Sequence, residues 1–353
     1  MDDTQNRIDQ LSCPAPLPAK NKVLLGHGSG GRLTSELIRD VFLPAFHNPV
    51  LAQLNDQAIV KVNGVRLAFT TDSFVVKPLF FPGGDIGSLA VYGTVNDLAV
   101  GGAQPLYLSA AFIIEEGLPM ETLQRIVASV HQAAARAEVE VVTGDTKVVE
   151  KGSGDGLFIN TSGIGLVPEG VYLSADQARP GDRVLLSGAI GEHGIAIMAQ
   201  REGLEFESAL ESDSAPLHTL VAEMLRVTRA IRCLRDLTRG GVSSALNEIA
   251  AQSRVGMEID ELSIPVREEV EGACELLGLD PLYVANEGKL VAIVEAGVAE
   301  GVLAAMRAHP LGGQAQIIGT VTDAHPGVVT MHTTIGTSRI VDMLAGDQLP
   351  RIC

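Results

Sequence analysis

The chain has 353 residues, 46% of them hydrophobic and 20% charged, with 38 glycines and a formal net charge of -17. That length exceeds what one core usually organises, so two domains are expected, and the apolar content excludes extensive disorder. An acidic chain without a Lys/Arg run repels a phosphate backbone, which argues against nucleic acid, although an anionic nucleotide can still bind through a divalent cation.

Cys13, Cys233, Cys274 and Cys353 are far apart with no C-x-x-C pair, so neither a zinc ribbon nor a disulfide framework is suggested. A reducing cytoplasm is the expected location. The polar start "MDDTQNRIDQ" lacks an apolar signal core, and no uninterrupted apolar run of about 18 residues occurs, so no membrane association is expected.

Residues 1–21, with "CPAPLPAK", read as an extended, flexible leader. "GHGSGGR" at 26–32 surrounds His27, Ser29 and Arg32 with glycines whose N–H groups can approach a polyphosphate, although a plain linker fits as well. It is neither a Walker A nor a Rossmann sequence. "AIVKVNGVRLAFTTDSF" predicts a hairpin turning at Asn63-Gly64, whose second strand delivers Thr70, Thr71 and Asp72 at its end.

"DIGSLAVYGTVNDLAVGGA" is small and apolar nearly all round, as expected of a helix packed closely on a sheet, with Asn96 and Asp97 interrupting it. Strand-like "LYLSAAFII", a helix over roughly 119–137, and strands "VEVVTGD" and "LFINTSGIGLV" complete an α+β domain over 22–170. After "SADQARPGD" a second alternation of strands and helices fills 171–345. "GDQLPRIC", 346–353, reads as a mobile tail with an accessible terminal thiol, and eight extended residues reach about 26 to 29 Å.

Four acidic positions fall at strand ends or interruptions: Asp56, Asp72, Asp97 and Asp145. Singly, each reads as a turn residue or helix cap; together, they are the all-oxygen ligand set that magnesium requires. "RDLTRGG" joins Asp236, Thr238 and Arg239 to a glycine pair before a helix, either an anion site or an ordinary turn. "YVANEGKL" sets Asn286, Glu287 and Lys289 between two strand-like runs, where a solvated hairpin is the plain alternative to chemistry. His193 opens a predicted helix as a cap or a satisfied hydrogen-bonding residue, and Cys233 and Cys274 lie in apolar periodic segments as core.

Taken in order, "HGSGGR", "TTDSFVVKPLFFPGGDIGSLAVYGTVNDLAVGGAQP", "VVTGDTKVV", "RDLTRGG", "PLYVANEGK" and "PRIC" resemble the HypE family of carbamoyl dehydratases in nickel-iron hydrogenase maturation. The resemblance spans the chain from about residue 22. It implies a two-domain α+β fold of the PurM-like, aminoimidazole ribonucleotide synthetase type, dimerised through N-terminal sheets that face each other. The terminal cysteine, here Cys353, would accept a carbamoyl group from HypF, have it dehydrated with ATP and Mg2+ to an S-cyanide, and pass the cyanide to a HypC-HypD complex.

On that resemblance Asp56, Asp72, Asp97 and Asp145 are the expected metal shell. Gly28, Ser29, Gly30, Gly31, Thr71, Asn96, Gly144 and Asp145 are expected around the nucleotide. Lys147 would stabilise negative charge as the amide oxygen attacks, and Glu287 would be the base. A small-molecule kinase or selenophosphate synthetase of the same superfamily would leave "PRIC" unexplained, and a non-enzymatic thiol carrier would not need ATP.

Overall fold

The computed structural model describes residues 22–203, 210–346, 349 and 351–353. The first half runs α1 (Arg32–Leu37), α2 (Leu43–Phe46), β1 (Ala58–Val62), β2 (Val65–Phe74), β3 (Phe80–Phe81), β4 (Gly84–Asp85), α3 (Ile86–Val100), β5 (Gln104–Glu115), α4 (Met120–Arg136), β6 (Glu140–Val149) and β7 (Leu157–Leu166). The second half runs β8 (Arg183–Leu186), α5 (Glu192–Glu202), α6 (His218–Val227), β9 (Ile231–Asp236), α7 (Gly241–Ser253), β10 (Gly256–Asp260), α8 (Glu268–Leu277), β11 (Leu290–Val294), α9 (Ala299–Ala308), β12 (Gln316–Thr322), β13 (Val329–His332) and β14 (Ser338–Val341).

The strands form a five-stranded sheet in the order β1-β2-β7-β5-β6 and a seven-stranded sheet in the order β14-β13-β10-β12-β8-β11-β9, with β3-β4 a small ribbon. The predicted hairpin is present: β1 pairs antiparallel with β2, and Asn63 and Gly64 both take positive φ, the conformation a two-residue turn of this twist requires.

Helix α3 is the hub. Asp85 caps it, accepting from the Gly87 and Ser88 N–H groups, and thirteen of its fifteen residues are buried. It lies on β2, β7 and β5 and also touches α6 and β9 of the second half. Small residues make this approach possible: a Cβ added at Gly93 would stand 2.8 Å from the Phe74 ring, and one at Gly163 the same distance from Leu98. One core therefore runs through both halves, with Ala68, Leu98 and Ala99 packed among Leu217, Met224 and Leu290.

Along β2 the alternation is plain. Ala68, Thr70 and Phe74 are buried towards α3, whereas Phe69, Thr71 and Ser73 lie on the open face. Exposed Ile164 and Leu166 of β7 continue that uncovered, partly apolar face.

The end of the chain corrects the expectation of a loose tail with an accessible thiol. The Val75 N–H donates to the Cys353 carbonyl at 3.2 Å and the Lys77 N–H to the Arg351 carbonyl at 3.1 Å, docking the end of the chain against the segment that follows β2. Ile352 and Cys353 are buried in a cluster with Phe74, Phe81, Ile86 and Ile197. Burial of Ile352 outweighs the tendency of chain ends to fray.

Candidate active site

Asp56, Asp97 and Asp236 converge so that one carboxylate oxygen from each lies within 4.8 Å of the others. Asp56 precedes β1, Asp97 projects from the last turn of α3, and Asp236 ends β9, so three elements are needed to assemble the group. Thr70 Oγ1, on the α3-facing side of β2, stands 2.7 Å from Asp97 Oδ2 and 2.9 Å from the Asp56 carbonyl. Asp72 comes next on the same side of the strand, opposite Gly93.

Burial and mutual repulsion hold protons on these acids. Burial pushes the Asp56 carboxyl up to about 6, with Arg235 pulling it down. The Asp236 carboxyl is pushed up to about 8 by burial and then by Asp56. Asp97 rises well above the carboxylate range for the same two reasons, burial first and then its acidic neighbours. Arg235 Nε sits 3.1 Å from Asp56 Oδ1 but is shared with Glu248, and Arg239 approaches Asp72 at 4.0 Å. Asp97 and Asp236 form no ion pair among the described residues. A compact, under-neutralised set of oxygen donors fits a hard divalent cation.

The glycine loop packs beside this group. Gly30 has φ +73, and a Cβ there would lie 2.5 Å from the Arg239 carbonyl; one at Gly31 would lie 2.3 Å from the Leu344 carbonyl. Arg239 Nη1 donates to the Gly28 carbonyl at 2.9 Å, and Ser29 Oγ lies 2.8 Å from the carbonyls of both Gly26 and Gly346, which share its one hydrogen. Gly30, Asp56, Asp236, Arg239 and Ser244 line a cavity of about 130 Å³.

Glu287 is interior, which corrects the solvated-hairpin alternative. Leu290 pairs with Asp236 across β11 and β9, so the segment entering β11 is drawn alongside the acidic group. Asp213 pins that segment, accepting the Glu287 N–H at 3.0 Å, the Gly288 N–H at 3.2 Å and Lys289 Nζ at 3.1 Å. Residue 288 must be glycine, because an added Cβ would fall 1.9 Å from the Asp213 carbonyl. The Glu287 side chain is 3% exposed, and its Oε1 is buried with no partner among the described residues. Burial, then Asp236 and Asp213, raise its carboxyl well above the ordinary value, with Arg239 opposing.

Cys353 completes the arrangement. Burial pushes its thiol up strongly against the pull of Arg239, and Glu287 adds to the rise both by its charge and by a hydrogen bond from the thiol. The tail sulfur, a buried carboxyl and the acidic group therefore share one interior region.

Other predicted site residues lie elsewhere. Asn96 is a correction: its amide is spent on the Ala215 and Glu287 carbonyls at 3.1 and 3.2 Å and on the Leu217 N–H at 2.7 Å, joining the two halves instead of facing a ligand. Asp145 and Lys147 are also not brought to the acidic group within one chain. They sit exposed on edge strand β6, paired at 2.6 Å, and the Lys147 ammonium lowers the Asp145 carboxyl. Gly144 answers to packing, since a Cβ there would meet the Ala110 carbonyl at 2.1 Å. Thr71 lies on the open sheet face, donating to the Thr161 carbonyl. Asp236, expected from the sequence in an anion loop or turn, is the third member of the acidic group and ends β9.

Family models for AIR synthase related proteins match the chain, the N-terminal domain over residues 54–167 and the C-terminal domain over residues 179–332. The class is thus the α+β, two-domain PurM-like architecture. The carbamoyl dehydratase HypE of Cupriavidus necator is 56% identical over 346 residues, covering 98% of this chain and 99% of that protein. A crystal structure of a HypE in complex with ATP superposes with a TM-score of 0.80 at 51% identity, covering 94% of this chain and 100% of the other. The HypE chain of a HypE-HypF complex gives 0.83 at 53% identity, covering 87% and 99%. The chain belongs to the HypE family.

Proposed function

We propose that the chain is an ATP-dependent carbamoyl dehydratase acting on its own Cys353, converting an S-carboxamide to an S-cyanide for the iron centre of a nickel-iron hydrogenase. The balance is S–C(=O)NH2 plus ATP to S–C≡N plus ADP and phosphate: the amide oxygen attacks the γ-phosphorus, and the C–O bond then breaks as phosphate leaves. The observation that carries the reading is the docked Cys353 thiol, buried beside a Glu287 carboxyl with an unpartnered oxygen.

Glu287 takes the amide proton during elimination. A carboxyl whose proton affinity is raised by burial is matched to that task, and the Asp213 clamp fixes its backbone. Arg239, between Cys353 and Asp72, supplies positive charge where oxygen becomes anionic. Asp56, Asp72, Asp97 and Asp236 would hold Mg2+, which when bound neutralises the polyphosphate. "GHGSGGR" lies next to that cluster, with Gly30 lining the same cavity as Asp56 and Asp236.

Relatives' complexes support HypF as a partner and ATP binding; HypF is the proposed carbamoyl donor, ATP the proposed cosubstrate and a HypC-HypD complex the proposed cyanide acceptor. The open face of the five-stranded sheet meets a second copy, and in that homodimer Asp145 and Lys147 reach the partner's site from exposed β6. The leader 1–21 lies outside the described residues, and the proposed division is 22–170, 171–345 and the tail 346–353. No helix among the described residues is long and apolar enough to cross a membrane, in keeping with the proposed cytoplasmic location.

The test is the intact mass of the C-terminal peptide after incubation with HypF, carbamoyl phosphate and ATP. A carboxamide gained and then one water lost is the expected sequence of masses. Glu287→Gln should stop at the carboxamide, with the second step slowed about 10²- to 10⁴-fold. Cyanide formation at the normal rate in that variant would reject Glu287 as the base.

A further inference from the structure

The mechanism above leaves one fully buried imidazole unused. His193, the second residue of α5, is 0% exposed and stands between Ile352 of the tail and Ser212. Its Nε2 lies 2.6 Å from the Ile352 carbonyl and its Nδ1 2.7 Å from Ser212 Oγ. A carbonyl can only accept, so Nε2 carries the hydrogen, and Nδ1 then accepts from the Ser212 hydroxyl. The Ser212 oxygen receives the Ser214 N–H at 3.1 Å, and the Ser212 N–H is tied to the Pro82 carbonyl at 2.9 Å. Phe81 meets the ring edge-on, with centroids 5.5 Å apart. Phe81 and Ser212 therefore hold the ring plane, and the docked Ile352 carbonyl selects the tautomer.

We infer that His193 is a positioning residue that latches the tail in its docked state by holding the penultimate carbonyl, and so sets the balance between docked and released Cys353. The inference rests on the reading that Cys353 is loaded when released and dehydrated when docked. Other side-chain contacts to the tail are only partly buried or lie at the surface: Ser29 on the Gly346 carbonyl, Arg201 on the Arg351 carbonyl, and Arg351 on Asp155. Such contacts are screened by water and salt. His193 makes the one fully interior side-chain hydrogen bond to the tail's main chain among the described residues.

Geometry also links the latch to the base. A Cβ at Gly194 would stand 2.5 Å from Val284, and the Gly194 N–H donates to the Ala285 carbonyl at 3.1 Å, so the start of α5 is seated on the segment that leads into Glu287. A single rigid corner thus holds Ile352 by its carbonyl and presents Glu287 to the next residue. Main-chain recognition suits a tail whose terminal side chain changes from thiol to carboxamide to cyanide.

The experiment measures alkylation of Cys353 by iodoacetamide in the full chain, read from the mass of the C-terminal peptide so that other cysteines do not interfere. In His193→Ala the rate should rise about tenfold, the effect of one buried hydrogen bond left unmade. His193→Gln, whose side-chain N–H can reach the same carbonyl, should fall close to the wild-type rate. On carbamoylated protein His193→Ala should slow dehydration while HypF loads Cys353 at least as fast as before. Should His193→Ala fail to fold, Ser212→Ala frees the ring's orientation and should raise alkylation about threefold. Alkylation at the wild-type rate in a folded His193→Ala or Ser212→Ala protein would overturn the latch. A faster alkylation in a protein that never forms cyanide would leave the latch standing and reject the dehydratase reading.

Discussion

Replacing Asp236 by Asn removes one carboxyl from a group whose oxygens lie within 4.8 Å of one another. Two unit charges at that separation repel by about 3.5 kcal/mol at an effective dielectric constant of 20, so one amide should relieve about 3 kcal/mol in the metal-free protein. The sign depends on pH. The Asp236 proton leaves at about 8 in the folded chain against an ordinary 3.8, so stability linked to this proton is complete below 3.8 and lost as pH rises through 8. In EDTA at pH 9, Asp236→Asn should therefore melt about 6 °C above wild type, taking roughly 2 °C per kcal/mol for a chain of this size. At pH 5 only about 1.2 of the roughly 4.2 pH units between 3.8 and 8 have been crossed, so the gap should shrink to about a third, roughly 2 °C. Added Mg2+ and ATP should raise the wild-type melting temperature and do much less for the variant, which has lost a ligand. Scanning fluorimetry over that pH range reads all three. A variant that melts below wild type at pH 9, or a difference that ignores pH, would refute the account of the cluster as repelling carboxyls that await a cation.

Two further predictions separate local packing from chemistry. Gly288→Ala places a methyl 1.9 Å from the Asp213 carbonyl, so the Asp213 clamp must open; thermal melts should show a loss of about 2 kcal/mol or more, and dehydration should fall even though Glu287 is intact. Lys147→Ala removes only a solvent-exposed pair with Asp145, so the melting temperature should stay within about 1 °C while cyanide formation drops. Mixing Lys147→Ala with Glu287→Gln subunits should restore part of the activity if β6 serves the partner's site, because half of the sites in a mixed dimer are then complete.

Local patterns proved legible where one element decides the outcome. The Asn63-Gly64 turn, the small-residue helix now seen as α3, and a helix predicted over 119–137 that forms at Met120–Arg136 all follow from periodicity and turn chemistry. Cys233 and Cys274 are buried as their apolar settings indicated. His193 has the satisfied hydrogen bonds expected of a lone histidine, but its partner, Ile352, lies far along the chain and no local signal could name it. Asn96 and Asp97 are neighbours on α3, yet α3 is covered on all sides, so one turns to the second half of the chain and the other to the acidic group.

The sequence by itself determined the family, the succession of strands and helices, and the stock of acids, glycines and thiol available for chemistry, because each of these is carried by contiguous residues. Only the tertiary structure decided which acids meet. Asp236 joins Asp56 and Asp97 because β9 and α3 pack together, whereas Asp145 stays outside on an edge strand. It also decided that Cys353 is docked and not free, since the hydrophobic slot for Ile352 and the carbonyl-binding groups of Val75, Lys77 and His193 come from segments distant in the chain. Burial and like-charge proximity, which set the proton affinities of the site, exist only once those segments are assembled.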